Sequence, residues 1–243
     1  MTVEVIRAAS LGVAHGFLGR RGGVSTGVVA GLNVGAGSGD DPAAIAENVR
    51  RACDAVLPGA ELSRVYQVHS AEAVVAEPWP MDARPRADAL VSDRPGLLLG
   101  IVTADCAPIL LADAAAGVVG AAHAGWRGLA SGVLEATIDA MAVAPDSLQV
   151  WMGPAIGARV YEVGEDVYRA FPGYEAAFRP TRPGHWLLDL YAVARRKLAA
   201  KGVKRIHGGG FCTYTERERF FSYRRDRDSR RIAAVIYIES PTP

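Results

Sequence analysis

The sequence predicts an α/β or α+β protein built on a large, mainly buried sheet. Three observations carry that expectation. Short continuous apolar runs recur, LLLGIV (Leu97–Val102), GVVGAA (Gly117–Ala122) and IAAVIYI (Ile232–Ile238), as strands buried on both faces require. Segments of helical period lie among these runs and not in a separate block. The 243 residues are 50% hydrophobic and 22% charged, which rules out a disordered chain and is enough for one large core. No stretch reads as a linker, so residues 1–243 are expected to form a single catalytic domain.

Each element has its own signal. The passage GRRGGVSTGVVAGLNVGAGSGD (19–40) is too rich in glycine for a helix and suits a wrapping loop. Asp41 then caps and Pro42 opens a helix with the stripe Ile45, Val49, Cys53 and Val56. On that stripe Cys53 reads as a small buried hydrophobe. Leu62–Val68 alternates and reads as a strand running to His69, and Ala73–Ala76 as a short second one. Leu97–Val102 leads directly into Thr103-Ala104-Asp105-Cys106, with apolar character resuming over Pro108–Ala112. Gly117–Ala122 is a strand ending at His123. HAGWRGL then turns into a helix with Leu129, Val133, Thr137, Ile138 and Met141 inward. Leu148–Met152 is a strand stopped by Gly153-Pro154. Val163–Phe171 and Leu188–Ala200 read as helices, and Val203–Ile206 and Ile232–Ile238 as the last strands. SYRRDRDSRR (222–231) alternates charges and reads as a solvated hairpin.

Composition excludes several functions. A net charge of +1 argues against a dedicated nucleic-acid binder. Three dispersed cysteines, Cys53, Cys106 and Cys212, suggest no disulfide framework and a reducing compartment. The N-terminus lacks a signal-peptide pattern, and the longest apolar run is too short to span a bilayer. A cytoplasmic protein with a small-molecule substrate, and no membrane or nucleic-acid partner, is expected.

Candidate chemistry gathers at strand ends. His69, Cys106 and His123 each follow an apolar strand, and strand ends converge at one edge of a sheet. Two histidines and a cysteine form a known catalytic zinc set with one open position. A metal there would bring the pKa of a bound water towards neutrality. Asp105 can act as general acid or base, or support a ligand histidine. In HAGWRGL, small residues at the helix start let a backbone approach a ligand, and Arg127 suits phosphate or carboxylate. Trp126 can stack on a base. Arg20-Arg21-Gly22-Gly23-Val24-Ser25 can form an anion-binding loop without being a P-loop. His15, His185 and His207 have no assignable partners.

Together VHS (His69), TADCAPILL (Cys106), HAGWRGL (His123), GPAIG, YEVGEDV, FCTY (Cys212) and FFSYRRD resemble one bacterial family. It is the laccase-like polyphenol oxidases, now regarded as purine nucleoside phosphorylases with adenosine deaminase activity. The resemblance covers nearly the whole chain in order. It implies a single-domain layered α/β sandwich with mixed buried sheets. It implies metal ligation by His69, Cys106 and His123, with Zn2+ as cofactor and Cu2+ able to enter in vitro. It implies phosphorolysis of adenosine, inosine and methylthioadenosine, and deamination of adenosine with Asp105 shuttling the proton. Arg20 and Asn33 match the family's arginine and LN-x-G segments, so Arg20, Asn33 and Arg127 are expected at substrate and phosphate. Gly19 stands where the family has a threonine, which weakens any hydroxyl role there. A monomer is expected.

Two rival activities use the same residues. A copper-dependent polyphenol oxidase would need a trinuclear cluster, yet the chain has five histidines and two are already committed. A hydrolase editing cell-wall precursors would use the same metal-activated water. A third reading, a closed structural metal site, would recruit Cys212 as fourth ligand.

Overall fold

The period-2 alternation of the apolar strands decides the layering. In the computed structural model, which describes residues 2–239, two large sheets lie face to face. One has five strands: β1 (Val5–Ile6), β2 (His15–Leu18), β3 (Glu61–Arg64), β6 (Leu97–Thr103) and β14 (Ile232–Ile236), in the order β1-β2-β14-β6-β3. The other has six: β4 (Ala73–Val75), β5 (Ala89–Ser92), β7 (Ala107–Asp113), β8 (Val118–Ala124), β9 (Gln149–Met152) and β13 (Arg205–Gly208), in the order β13-β9-β7-β8-β5-β4. Both sheets are mixed. The pairs β3–β6, β4–β5 and β13–β9 are parallel and the rest antiparallel.

Leu97, Leu99 and Ile101 of β6 point into the space between the sheets, where they meet Leu110, Ala112, Val119 and Ala121. Leu98 points the opposite way, under helix α1 (Pro42–Asp54). On the far side of the six-stranded sheet, Ile109 and Leu111 meet α3 (Val133–Met141) and α5 (Leu190–Ala200). The layers are therefore helix, sheet, sheet, helices, a layered α/β sandwich. Each fully buried leucine here contributes about 1.5–3 kcal/mol relative to exposure.

The caps follow the sequence. The Asp41 side chain accepts from Ala43 N at 3.0 Å with Pro42 at the first helical position. Asp189 caps α5 by accepting from Ala192 N at 2.9 Å. The expected helix after HAGWRGL is two helices, α2 (Trp126–Ser131) and α3, because Gly132 between them is left-handed at φ 97°.

Other expectations need correction. Only the middle of Val163–Phe171 is helical. β10 (Glu162–Gly164) comes first and α4 (Glu165–Arg169) follows. β10 pairs in a third, three-stranded sheet with β11 (Phe178–Arg182) and β12 (His185–Leu188), neither of which has a clean apolar alternation. The short strands β1, β2 and β5 are likewise beyond the sequence signal. The SYRRDRDSRR segment is not a solvated hairpin. It holds a helical turn, α6 (Tyr223–Asp226), and two of its arginines, Arg225 and Arg230, serve packing. The Arg225 guanidinium donates to the carbonyls of Thr213, Tyr214 and Phe220, and Arg230 is buried beside Asp226 and Asp228. Among the described residues, no helix is long and apolar enough to cross a membrane.

Candidate metal centre and cleft

His69, Cys106 and His123 come together. Their ligating atoms all lie within 4.8 Å of one another. The Cys106 Sγ to His69 Nε2 distance is 3.9 Å, and the two imidazole rings meet edge to face at 4.8 Å. A tetrahedral zinc would hold sulfur and nitrogen about 3.6 Å apart, from its usual bond lengths. The donor set and its spacing fit such an ion.

Local structure puts each residue in place. His123 lies inside the last turn of pairing of β8, opposite Pro108 of β7, one step earlier than a strand-end loop residue. Cys106 stands between β6 and β7, where the chain changes sheets. The turn depends on Asp105 at φ 91°, a conformation costly for a non-glycine residue. His69 is also left-handed, at φ 63°. The segment leading to it is bound to β6 by the Gln67 amide, which accepts from Val102 N at 2.9 Å and donates to Val102 O at 2.8 Å. Gly125 leaves the necessary space. A Cβ there would sit 2.8 Å from the Cys106 sulfur and 3.2 Å from the His69 ring.

Asp88, which sequence reasoning missed, organises the centre. Its carboxylate is fully buried, and Oδ1 lies 2.8 Å from His123 Nδ1. Oδ2 accepts from Val68 N, Ser70 N and Ser70 Oγ, bracketing His69. One carboxylate therefore fixes the ring of His123, leaving Nε2 to face the cluster, and holds both flanks of His69. The only sequence signal was an isolated acid between the alanines of ADAL. The support expected of Asp105 is supplied by Asp88. Asp105 instead accepts from Thr213 Oγ1 and from Arg224 N, both at 2.6 Å.

Electrostatics agree with a ligand set. Burial pushes the Cys106 thiol up, but attraction and hydrogen bonding by His123 and then His69 outweigh it, and the thiol is lowered. Burial lowers the His123 imidazole, while Cys106 and Asp88 more than compensate and raise it. Burial also pushes the Asp88 carboxyl up, but His123 and the Ser70 and Val68 amides hold it below its ordinary value. The cluster favours a thiolate, the form a metal takes.

The centre forms the wall of a cleft of about 670 Å³. Tyr66, Trp126, Tyr161 and Tyr223 line it, as do Arg64, Arg84, Arg127, Arg224, Arg227 and Arg231. The one lining acid is Asp105. Arg127 is exposed, with its guanidinium 4.2 Å above the Trp126 ring. The other expected phosphate and substrate residues lie outside this lining. Arg20 spends its guanidinium on the carbonyls of Arg217 and Ala30 and stacks on Phe221 at 4.6 Å. Asn33 is fully buried. It donates to Ser38 and Asp40 and accepts from Gly35 N and Arg231 N, so it shapes the cleft rim. Cys212 stands apart from the metal cluster, its sulfur accepting from Gly157 N at 3.3 Å. The remaining histidines are dispersed. His15 bonds Ala8 N and Val13 O, His185 bonds Pro183 O, and His207 stacks on Trp151. Among the described residues no second group of three ligating side chains forms.

The family described as multi-copper polyphenol oxidoreductase laccase matches residues 14–239. A purine nucleoside phosphorylase of Pseudomonas aeruginosa is 46% identical over 225 residues, covering 90% of this chain and 91% of that protein. The purine nucleoside phosphorylase YfiH of Escherichia coli is 43% identical over 232 residues, covering 93% and 94%. Among solved structures, a Neisseria meningitidis protein of the DUF152 family superposes with a TM-score of 0.91 at 40% identity, covering 99% of this chain and all of that one. YlmD from Geobacillus stearothermophilus gives 0.87 at 33% identity over 96% and 94%. With matches of this extent in sequence and fold, the chain belongs to the multi-copper polyphenol oxidoreductase laccase family.

Proposed function

We propose that this protein is a purine nucleoside phosphorylase that acts on adenosine, inosine and methylthioadenosine and also deaminates adenosine. The observation that carries the reading is the convergence of His69, Cys106 and His123 on the wall of a cleft lined by aromatic rings and arginines. The relatives named purine nucleoside phosphorylase support it. His69, Cys106 and His123 would hold one zinc ion, whose borderline character suits nitrogen and thiolate donors. Copper can occupy the same donors in vitro. When bound, the metal supplies Lewis acidity and an activated water.

The rest is done by side chains. Tyr161, Tyr223 and Trp126 offer rings on which a purine stacks. Arg127 holds inorganic phosphate against the anomeric carbon, and its charge offsets the negative charge gathered there. In phosphorolysis a phosphate oxygen bonds to C1′, the C1′–N9 bond breaks, and the base leaves with the bonding electrons and takes a proton. Asp105 carries protons. Two hydrogen bonds fix its carboxylate, and its remaining lone pairs stay available. Asn33 acts through the loop and Arg231, and Arg20 braces the C-terminal segment through Phe221. One catalytic domain contains all of these parts, and the protein is expected in the cytoplasm.

Product analysis tests the reading. Metal-replete protein is incubated with adenosine, with and without phosphate, beside Cys106→Ala. Adenine and ribose 1-phosphate should appear only with phosphate, inosine should appear in both, and the variant should make neither. No turnover of any nucleoside by the metal-replete protein would overturn the reading and favour hydrolysis of another substrate at the same centre.

A further inference from the structure

The proposed reaction leaves two arginines of the cleft, Arg64 and Arg84, without a task. Arg64 closes β3, and four residues separate it from His69, a span of at most about 18 Å of extended chain. Arg84 reaches the same place from the β4–β5 connection. The Arg64 Nη2 donates to Met81 Sδ at 2.9 Å and the Arg84 Nε donates to Met81 O at 2.8 Å. Both side chains are half-buried and both line the cleft that contains the metal cluster. Neither forms an ion pair among the described residues, whereas Arg225 and Arg230 pair with Asp226 and Asp228. Thioether sulfur is a weak acceptor and leaves a guanidinium largely unsatisfied. Burial, and then the neighbouring Arg84, lower the Arg64 pKa against an opposing pull from Cys53, and burial lowers that of Arg84. The chain as a whole is close to neutral, at +1. The positive charge of the cleft lining is therefore local.

Two forked guanidiniums converging from different segments, partly desolvated and lacking a carboxylate, suit a phosphoryl group. Inorganic phosphate as co-substrate has to meet the anomeric carbon beside the metal centre. Arg64 and Arg84 line the same cleft and are neither metal ligands nor the arginine assigned to the co-substrate above, which leaves them for a phosphate at the 5′ end of a bound nucleoside. We propose that Arg64 and Arg84 form a phosphoryl subsite, so that the cleft accepts purine nucleoside 5′-monophosphates with the base at the metal end. This rests on the purine nucleoside reading above. Exposed Tyr66, 53% accessible on the same wall, gives the intervening part of the ligand an apolar face.

The experiment is calorimetric titration of zinc-loaded protein, in phosphate-free buffer, with inosine and with inosine 5′-monophosphate. The wild type, Arg84→Gln and Arg64→Gln/Arg84→Gln are compared. Arg84 lies on a surface connection, so the single variant keeps the test valid if the double variant misfolds. The wild type should bind the monophosphate at least tenfold more tightly than inosine. That advantage should shrink in the single variant and vanish in the double one, while inosine affinity and the KM for inorganic phosphate stay unchanged. Equal affinity for the two ligands in the wild type overturns the subsite. So does a raised KM for inorganic phosphate in the variants, which would make the pair the co-substrate site. If inosine neither binds nor turns over but the monophosphate binds through these arginines, the subsite stands and the nucleoside phosphorylase reading falls.

Discussion

At the scale of single residues, the centre depends on groups that are not ligands. Asp88 orients His123 and brackets His69, and removing such a partner typically costs 10–100-fold in metal affinity. Asp88→Asn keeps the shape but replaces the accepting carboxylate oxygen. Competition titration with a zinc chelator should show a loss of that size with the fold intact by circular dichroism, and unchanged affinity would remove Asp88 from the centre. Gly125→Ala would place a methyl 2.8 Å from the Cys106 sulfur. It should cut metal stoichiometry far below one per chain while shifting Tm by only a few degrees. A third residue makes a pH prediction remote from the metal. Buried His15 donates from Nδ1 to Val13 O and accepts at Nε2 from Ala8 N, so its neutral form is the one used. Burial is the main cause of a pKa held below 6.5. The unfolded chain therefore takes up a proton, as pH falls through about 6.5, that the folded chain refuses. The stability from His15 is complete above that value and declines below it. Tm measured from pH 7.5 to 5.5 should fall more steeply in the wild type than in His15→Asn, and parallel curves would contradict this.

At the scale of elements, α6 joins the cleft to the core. Arg224 N donates to Asp105, while the neighbouring Arg225 side chain binds three carbonyls and pairs with Asp226 at 2.8 Å. Lysine cannot reproduce that fork. Arg225→Lys should lose about 2–4 kcal/mol in urea unfolding, as expected when a buried charged network is broken. A loss under 0.5 kcal/mol would return the segment to the solvated role its composition suggested. That error is instructive. Alternating charges at 222–231 look the same in sequence whether they face water or each other, and burial by Phe220 and Phe221 is not a periodic signal. Strands β11 and β12 escaped notice for a related reason. They form a small outer sheet with little burial, so no apolar pattern marks them. By contrast β6, β8 and β14 and helices α1 and α5 were legible, because burial on both faces or a capped apolar stripe writes itself into composition.

At the scale of the whole molecule, the two stacked sheets bring distant strand ends to one place. Convergence of His69, Cys106 and His123 was legible as residue types at strand ends, reinforced by the resemblance. The partner Asp88 and the arginine lining were not, since a lone acid and dispersed arginines have no spacing that announces them. Nor could sequence tell that Arg20 and Asn33 would be consumed by internal hydrogen bonds. The layering also locates the chemistry. Cys106 lies where β6 of one sheet passes to β7 of the other, His123 lies on β8, and Asp88 immediately precedes the neighbouring β5 of the six-stranded sheet. The central claim is that this junction carries metal-dependent phosphorolysis. Its most direct test is release of free base from inosine by metal-depleted protein, before and after one equivalent of zinc, with and without phosphate. Hypoxanthine should appear only when zinc and phosphate are both present, at a rate that saturates near one zinc per chain. Base release without metal, or none after zinc is restored, would contradict the account.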